Sequence, residues 1–209
     1  GQPCFGFTPD GAGYKTPHGV EFNPEKARAL LAQAGFPGGK GFPRLELMTT
    51  SREVQKTMAE AIQGMWKRHL GVHVDIRSCE WTAYKFAQNS MQYDFSSSSW
   101  SGDYLDPSSF LDLWSSASGN NNTGWSRPEY ERLLAESRAT GDQEKRMALL
   151  ARAEALMLSE SPVIPLYWAR RSYLKSPEVR GWHPLLLDNH LFEDISLGAP
   201  REQGKEAAP

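Results

Sequence analysis

RLELMTTSREVQKTMAEAIQGMWKRHLGVHVDIRSC, residues 44–79, reads as strand, helix and strand. In its first part, 44–49, Leu45 and Leu47 fall on one face of an extended chain, whose side chains alternate. Thr50 and Glu53 stand three apart, the spacing of a capping box. Val54, Met58, Ile62, Met65 and Trp66 then recur every three or four residues, which predicts one buried helix stripe. Gly71 supplies the stop, since a residue without Cβ suits the turn that ends a helix. Val72, Val74 and Ile76 alternate again as a second strand.

Outward from this unit the same logic continues. Toward the N-terminus lie a Gly-rich turn at 38–41 and a helix with Asn23 as N-cap and Pro24 at its first position. That helix places Ala27, Leu30, Leu31 and Ala34 at helical spacing and ends at Gly35. The first twenty residues, with Gly, Pro and aromatics but no periodicity, predict an extended, ordered loop. Toward the C-terminus come a third helix at 82–89 and a short strand at 93–97. The alternation of strands and helices predicts an α/β fold, a mixed sheet flanked by helices.

Residues 96–125, SSSSWSGDYLDPSSFLDLWSSASGNNNTGW, break the pattern. Asp106 and Pro107 open a short helix with Phe110, Leu111 and Trp114 inward, and Ser126 with Glu129 suggests a second capping box, with Tyr130, Leu133 and Leu134 buried. A helix at 142–159 buries Met147, Leu150, Leu156 and Met157. Residues 163–168 and 172–175 read as strands. The tail, 198–209, is polar and rich in Gly, Pro, Glu and Lys, which predicts disorder.

The 209 residues carry 23 Lys and Arg against 25 Asp and Glu, a net charge of −2, with 39% hydrophobic residues. Such a chain is globular, and the charge balance gives no electrostatic reason to expect nucleic acid as a partner. No stretch approaches the ~18 consecutive apolar residues of a membrane helix. Cys4 and Cys79 are compatible with one disulfide or two free thiols, and sequence separation does not decide between them.

Trp81, Trp100, Tyr104, Trp114 and Trp125 stand among small polar residues, a composition suited to a recognition surface. Trp114, at helical spacing from Phe110 and Leu111, fits a core position better. Asp103, between Gly102 and Tyr104, is a carboxylate able to receive an ammonium group or to cap its own loop. Catalysis finds no support. The serine run 96–99 lacks a nucleophile elbow. His69 and His73 flank Gly71 across a helix end and do not share one face, so no metal site is expected. Gly38, Gly39 and Gly41 around Lys40 do not match a phosphate loop, and no cofactor is expected.

FNPEKA at 22–27 with LLAQAGFP after it, AEAIQGMWKRHLGVHVDI with Glu80-Trp81, WSGDYLDPSSFL at 100–111, the Asn tract before Thr123-Gly124-Trp125, and SPVIPLY at 161–167 carry a resemblance. Together, in order, they resemble the peptide/nickel class of ABC-transporter solute-binding proteins, nearest its oligopeptide- and dipeptide-binding branch. The resemblance implies one lobe of a periplasmic-binding-protein clamp at 1–180 and a segment, 181–197, crossing back to an N-terminal lobe outside this sequence. It implies a peptide or other small solute as ligand, a membrane permease as partner, and an extracytoplasmic location, lipid-anchored or not. By the same resemblance, Asp103 matches the residue that holds a peptide's α-ammonium, Trp100 and Trp81 match aromatic positions near the ligand, and Asn121 or Asn122 a polar contact. Gln55, Gln88 and Ser97 stand where some relatives carry basic side chains that receive ligand carboxylates. That departure opens a neutral solute such as an oligosaccharide as an alternative, with a hydrolase using Asp103 or a serine as a remote one.

Overall fold

The chain enters through β1 (Gln2–Pro3) and a long loop, and becomes regular where the sequence becomes periodic: α1 (Pro24–Gln33), β2 (Leu45–Thr50), α2 (Glu53–Leu70), β3 (Val74–Cys79), α3 (Trp81–Asn89) and β4 (Phe95–Ser96). The second half holds α4 (Ser108–Leu111), a 3-10 turn at Asp112–Trp114, α5 (Pro128–Ala139), α6 (Gln143–Glu160) and the short strands β5 (Tyr167–Trp168), β6 (Val179–Arg180) and β7 (Ser196–Leu197). This computed structural model describes residues 2–19, 21–169, 172–185 and 190–198, so the tail expected to be disordered lies outside the described residues from 199 onward.

β2 is the central strand of a three-stranded sheet ordered β3-β2-β4, parallel throughout. Antiparallel pairing occurs in two ribbons, β1 with β5 and β6 with β7, and in an isolated bridge between Gly11 and Tyr14. A central strand is covered on both faces, so the single apolar face expected of 44–49 is only half of what is buried. Leu47 packs with Ala59 and Ile62 of α2 and with Val74, while Met48 packs on the other side with Tyr84 and Ala87 of α3. Of the stripe expected on α2, Ile62 is buried and Met58 and Trp66 are half-buried, but Val54 and Met65 are exposed. The helix rests on the sheet through Ala59 and Ile62, which turns Met58, Met65 and Trp66 partly toward a cleft.

Helix starts divide into those the sequence marks and those it does not. Asn23 Oδ1 accepts from the Lys26 N–H at 2.9 Å and Asp142 Oδ1 from the Lys145 N–H at 3.0 Å. Neither expected capping box forms. Thr50 is consumed by β2, leaving Arg52 at the start of α2 without a side-chain cap. α5 begins at Pro128, whose fixed φ suits a first helical position, with Arg127 rather than Ser126 before it. Pro162 and Pro165 lack N–H donors, so the strand expected at 163–168 shrinks to Tyr167–Trp168, and 172–175 pairs with nothing among the described residues. Cys4 and Cys79 are free thiols.

The second core lies between α5 and α6 and includes Leu111, Trp114, Tyr130, Leu134, Leu150 and Met157. Within it sits Glu154, fully buried. Its Oε1 accepts from the N–H groups of Phe7 (2.7 Å) and Thr8 (3.1 Å), and its Oε2 from the Tyr14 hydroxyl at 2.5 Å. Burial, reinforced by the Glu154 charge, pushes the Tyr14 hydroxyl pKa well up, so it stays protonated and donating.

A half-buried ion pair ties the Asp106 loop to α6. Arg146 donates to both carboxylate oxygens of Asp106 at 2.7 Å, while the Ser108 N–H and hydroxyl donate to Oδ1 at 2.9 and 2.7 Å. The Arg146 guanidinium, foremost among these donors, holds the Asp106 pKa down to about 2. A carboxyl depressed on folding stabilises the native state above its unfolded pKa and loses that contribution as pH falls through its folded one. About 2 kcal/mol is expected to disappear between roughly pH 4 and pH 2. Urea unfolding of wild type and Asp106→Asn should differ by that amount at pH 6 and converge near pH 2; a gap unchanged by pH would contradict this.

Candidate functional site

β3 and β4 flank β2 on opposite sides, and the helices that lead to them, α2 and α3, cover opposite faces of the sheet. The chain therefore leaves the carboxyl ends of the strands in diverging directions, and in parallel α/β sheets that divergence opens the crevice where ligands bind. Here it forms part of a cleft of about 1620 Å³. Thr50 ends β2 and Gln55 follows it, Trp81 follows β3, and Ser97 and Trp100 follow β4; all five line the cleft.

Each expected site residue has a definite place. Trp81 is exposed and stacks on Tyr84, with ring centroids 5.9 Å apart and planes 17° from parallel. Trp100 is half-buried against the helical core, its indole Nε1 donating to the Ser109 carbonyl at 2.8 Å. Ser109 also accepts from the Asp103 N–H at 2.7 Å, so one buried serine fixes both the indole and the aspartate's backbone. Gly102 packs where a Cβ would lie 2.8 Å from the Phe110 ring, which holds the loop close to α4. Tyr104 is exposed at the cleft, within 3.3 Å of the Ser108 hydroxyl. Asp103, in the same loop, is exposed and does not itself line the cleft, though Gly102 and Tyr104 on either side of it in sequence do; its carboxylate has no hydrogen-bond or ion-pair partner among the described residues.

The two asparagines separate. Asn121 donates through Nδ2 to the carbonyls of Trp114, Ser115 and Trp125, and its Oδ1 accepts from the Thr123 N–H and hydroxyl. Its amide is consumed in holding its own loop, and it is not among the residues that line the cleft. Asn122 lines the cleft, its carbonyl accepting from the Tyr93 hydroxyl. Ser97 pairs through its backbone, with its N–H on the Met48 carbonyl at 2.8 Å and its own carbonyl accepting from the Tyr84 hydroxyl at 2.5 Å. Gln55 Oε1 and Thr50 Oγ1 are buried polar atoms with no partner among the described residues. Leaving such a group unmet costs about 1–3 kcal/mol, so both suit the polar groups of a ligand or its water shell.

Sequence reasoning missed Ser109, and it missed a cation. Lys85, on α3, lines the cleft and hydrogen-bonds Gln88 Oε1 at 2.7 Å. The i,i+4 relation of Trp81 and Lys85 was the available signal, since both side chains then share one helix face.

A hydrogen-bonding cleft with aromatic walls thus lies at the carboxyl edge of a parallel sheet, where α/β proteins bind their ligands. The chain belongs to the bacterial extracellular solute-binding proteins, family 5, whose middle region matches residues 2–122. It is 32% identical over 177 residues to the oligopeptide-binding protein OppA of Bacillus subtilis, covering 84% of this chain and 32% of that one. To the dipeptide-binding protein DppE of the same organism it is 33% identical over 180 residues, covering 84% of this chain and 33% of the relative. The crystal structure of the periplasmic oligopeptide-binding protein OppAIV of Borrelia burgdorferi superposes with a TM-score of 0.85 at 32% identity, over 94% of this chain and 40% of that one. The chain thus has a periplasmic-binding-protein-like fold and spans about a third of the length of the curated relatives it matches.

Proposed function

We propose that this chain is the ligand-binding lobe of an extracytoplasmic receptor that delivers short peptides to the permease of an ABC importer. The observation that carries the reading is the exposed, unpaired Asp103 carboxylate, in the loop whose Trp100, Gly102 and Tyr104 line the cleft. A peptide's α-ammonium is the natural counter-charge, and a charge-assisted hydrogen bond to it strengthens as water is excluded. The relatives, an oligopeptide-binding and a dipeptide-binding protein, support the same ligand class. In the complete receptor a second lobe closes over the ligand, and 181–197 is the stretch that crosses to it. The aromatic faces of Trp81 and Tyr104 give contact area that tolerates varied peptide side chains. The chemistry is binding without turnover.

A titration of the chain with tri-alanine and with N-acetyl-tri-alanine, followed by amide NMR, tests this. The lone lobe is expected to bind weakly, with the free amine favoured about tenfold and that preference lost in Asp103→Asn. Equal binding of both peptides by wild type would remove Asp103 from the ammonium role.

A further inference from the structure

Lys85 is half-buried at the cleft wall, 6.0 Å from the centroid of the Trp81 ring. Its surroundings are built rather than incidental. The Ser97 carbonyl can only accept, so the Tyr84 hydroxyl donates to it, at 2.5 Å, and toward any second partner can only accept from a donor. The Nε2 of buried Gln88 supplies that donor at 3.1 Å and lies 3.4 Å from Ser96 Oγ. With its nitrogen so committed, Gln88 presents its oxygen to the Lys85 ammonium at 2.7 Å. The cation is therefore held by a neutral acceptor and an aromatic face. No carboxylate lies within ion-pair distance of it among the described residues, and one of its three donors is used within the protein.

An ammonium fixed in a cleft without a counter-charge favours an anionic partner, most of all when closure strips water from it. Arg52, also on the wall, is exposed and has no side-chain hydrogen bond or ion pair among the described residues. We propose that Lys85 is a specificity-determining residue that receives a carboxylate of the bound peptide, with Gln88 as its positioning residue; this rests on the peptide-binding reading above. Gln55, Gln88 and Ser97 carry no charge, but Lys85 brings one to the same wall from the turn of α3 just before Gln88. The cleft then reads a peptide through Asp103 and Lys85 together, and a wholly neutral solute would leave both unmatched.

The carboxylate has two sources, the ligand's C-terminus or an acidic side chain, and four peptides distinguish them. The 209-residue chain is titrated by NMR, on the Trp81 indole N–H, with Ala-Ala-Ala and its C-terminal amide, and with Ala-Glu-Ala-amide and Ala-Gln-Ala-amide. In wild type the charged member of one pair is expected to bind roughly five- to tenfold more tightly than its neutral twin. Lys85→Gln should erase that preference, and Lys85→Arg should retain it. Preference in the first pair names the C-terminus, in the second an acidic side chain. Binding of all four peptides without discrimination, or discrimination that survives Lys85→Gln, overturns the assignment and leaves the peptide reading intact. Failure of every peptide to bind overturns the peptide reading, and this assignment with it.

Discussion

Glu154→Ala is expected to destabilise the chain by about 3 kcal/mol, because it strips one carboxylate from three donors buried with it. The N–H groups of Phe7 and Thr8 and the Tyr14 hydroxyl all converge on Glu154, which is itself fully buried. Alanine fills neither the volume nor the acceptor role, so the donors stay unpaired or the loop detaches to hydrate them. Glu154→Gln should fall between: its oxygen still serves two of the donors, but its amide nitrogen brings a further donor against the third. Urea midpoints by far-ultraviolet circular dichroism measure the loss, and hydrogen exchange at Phe7 and Thr8 reports whether the loop leaves first. A loss below about 1 kcal/mol in Glu154→Ala would show the carboxylate to be dispensable.

Gly71→Ala is expected to cost a similar amount through the backbone alone. Gly71 ends α2 at φ +70°, where an added Cβ would lie 2.4 Å from the Gly38 carbonyl oxygen. Gly39, at φ +76°, faces back, and its Cβ would come 2.4 Å from the Gly71 oxygen. Two glycine turns thus meet backbone to backbone, with no flexible side chain to yield. The left-handed conformation accounts for about 1 kcal/mol and the displaced backbone for more, about 3 kcal/mol together. Gly64→Ala, within α2 and with nothing within 4 Å of the added methyl, is the contrast: it should stabilise by about 0.5–1 kcal/mol. Equal effects of the two substitutions in thermal unfolding would refute the contact argument.

These positions also mark where the sequence is legible. Gly71, Asn23 and Asp142 act through neighbours within a few residues, so spacing alone exposes them. The alternation of strand and helix across 44–96 shows for the same reason. Thr50–Glu53 and Ser126–Glu129 have the local spacing of caps, yet the register of β2 and the placement of Pro128 override it. Met65 and Trp66 fit a core stripe, but a helix bordering a cleft exposes part of its apolar face, and periodicity cannot tell a core from a cleft wall. Asp103, Trp81 and Trp100 stand out by composition, while Asn121 and Asn122 look alike in sequence and part company only in which groups surround them. Glu154 was invisible because its partners lie 140 to 147 residues away.

That separation has a consequence for how the chain is made. Phe7, Thr8 and Tyr14 leave a ribosome 140 to 147 residues ahead of Glu154, and β1 leaves it well before the Tyr167–Trp168 strand it pairs with. At roughly 5–20 residues per second, the opening segment waits on the order of ten seconds with its aromatic residues uncovered. Completion of this fold therefore waits for Glu154 and β5, and any factor that shields a nascent chain would find in residues 2–14 a segment left uncovered over that interval.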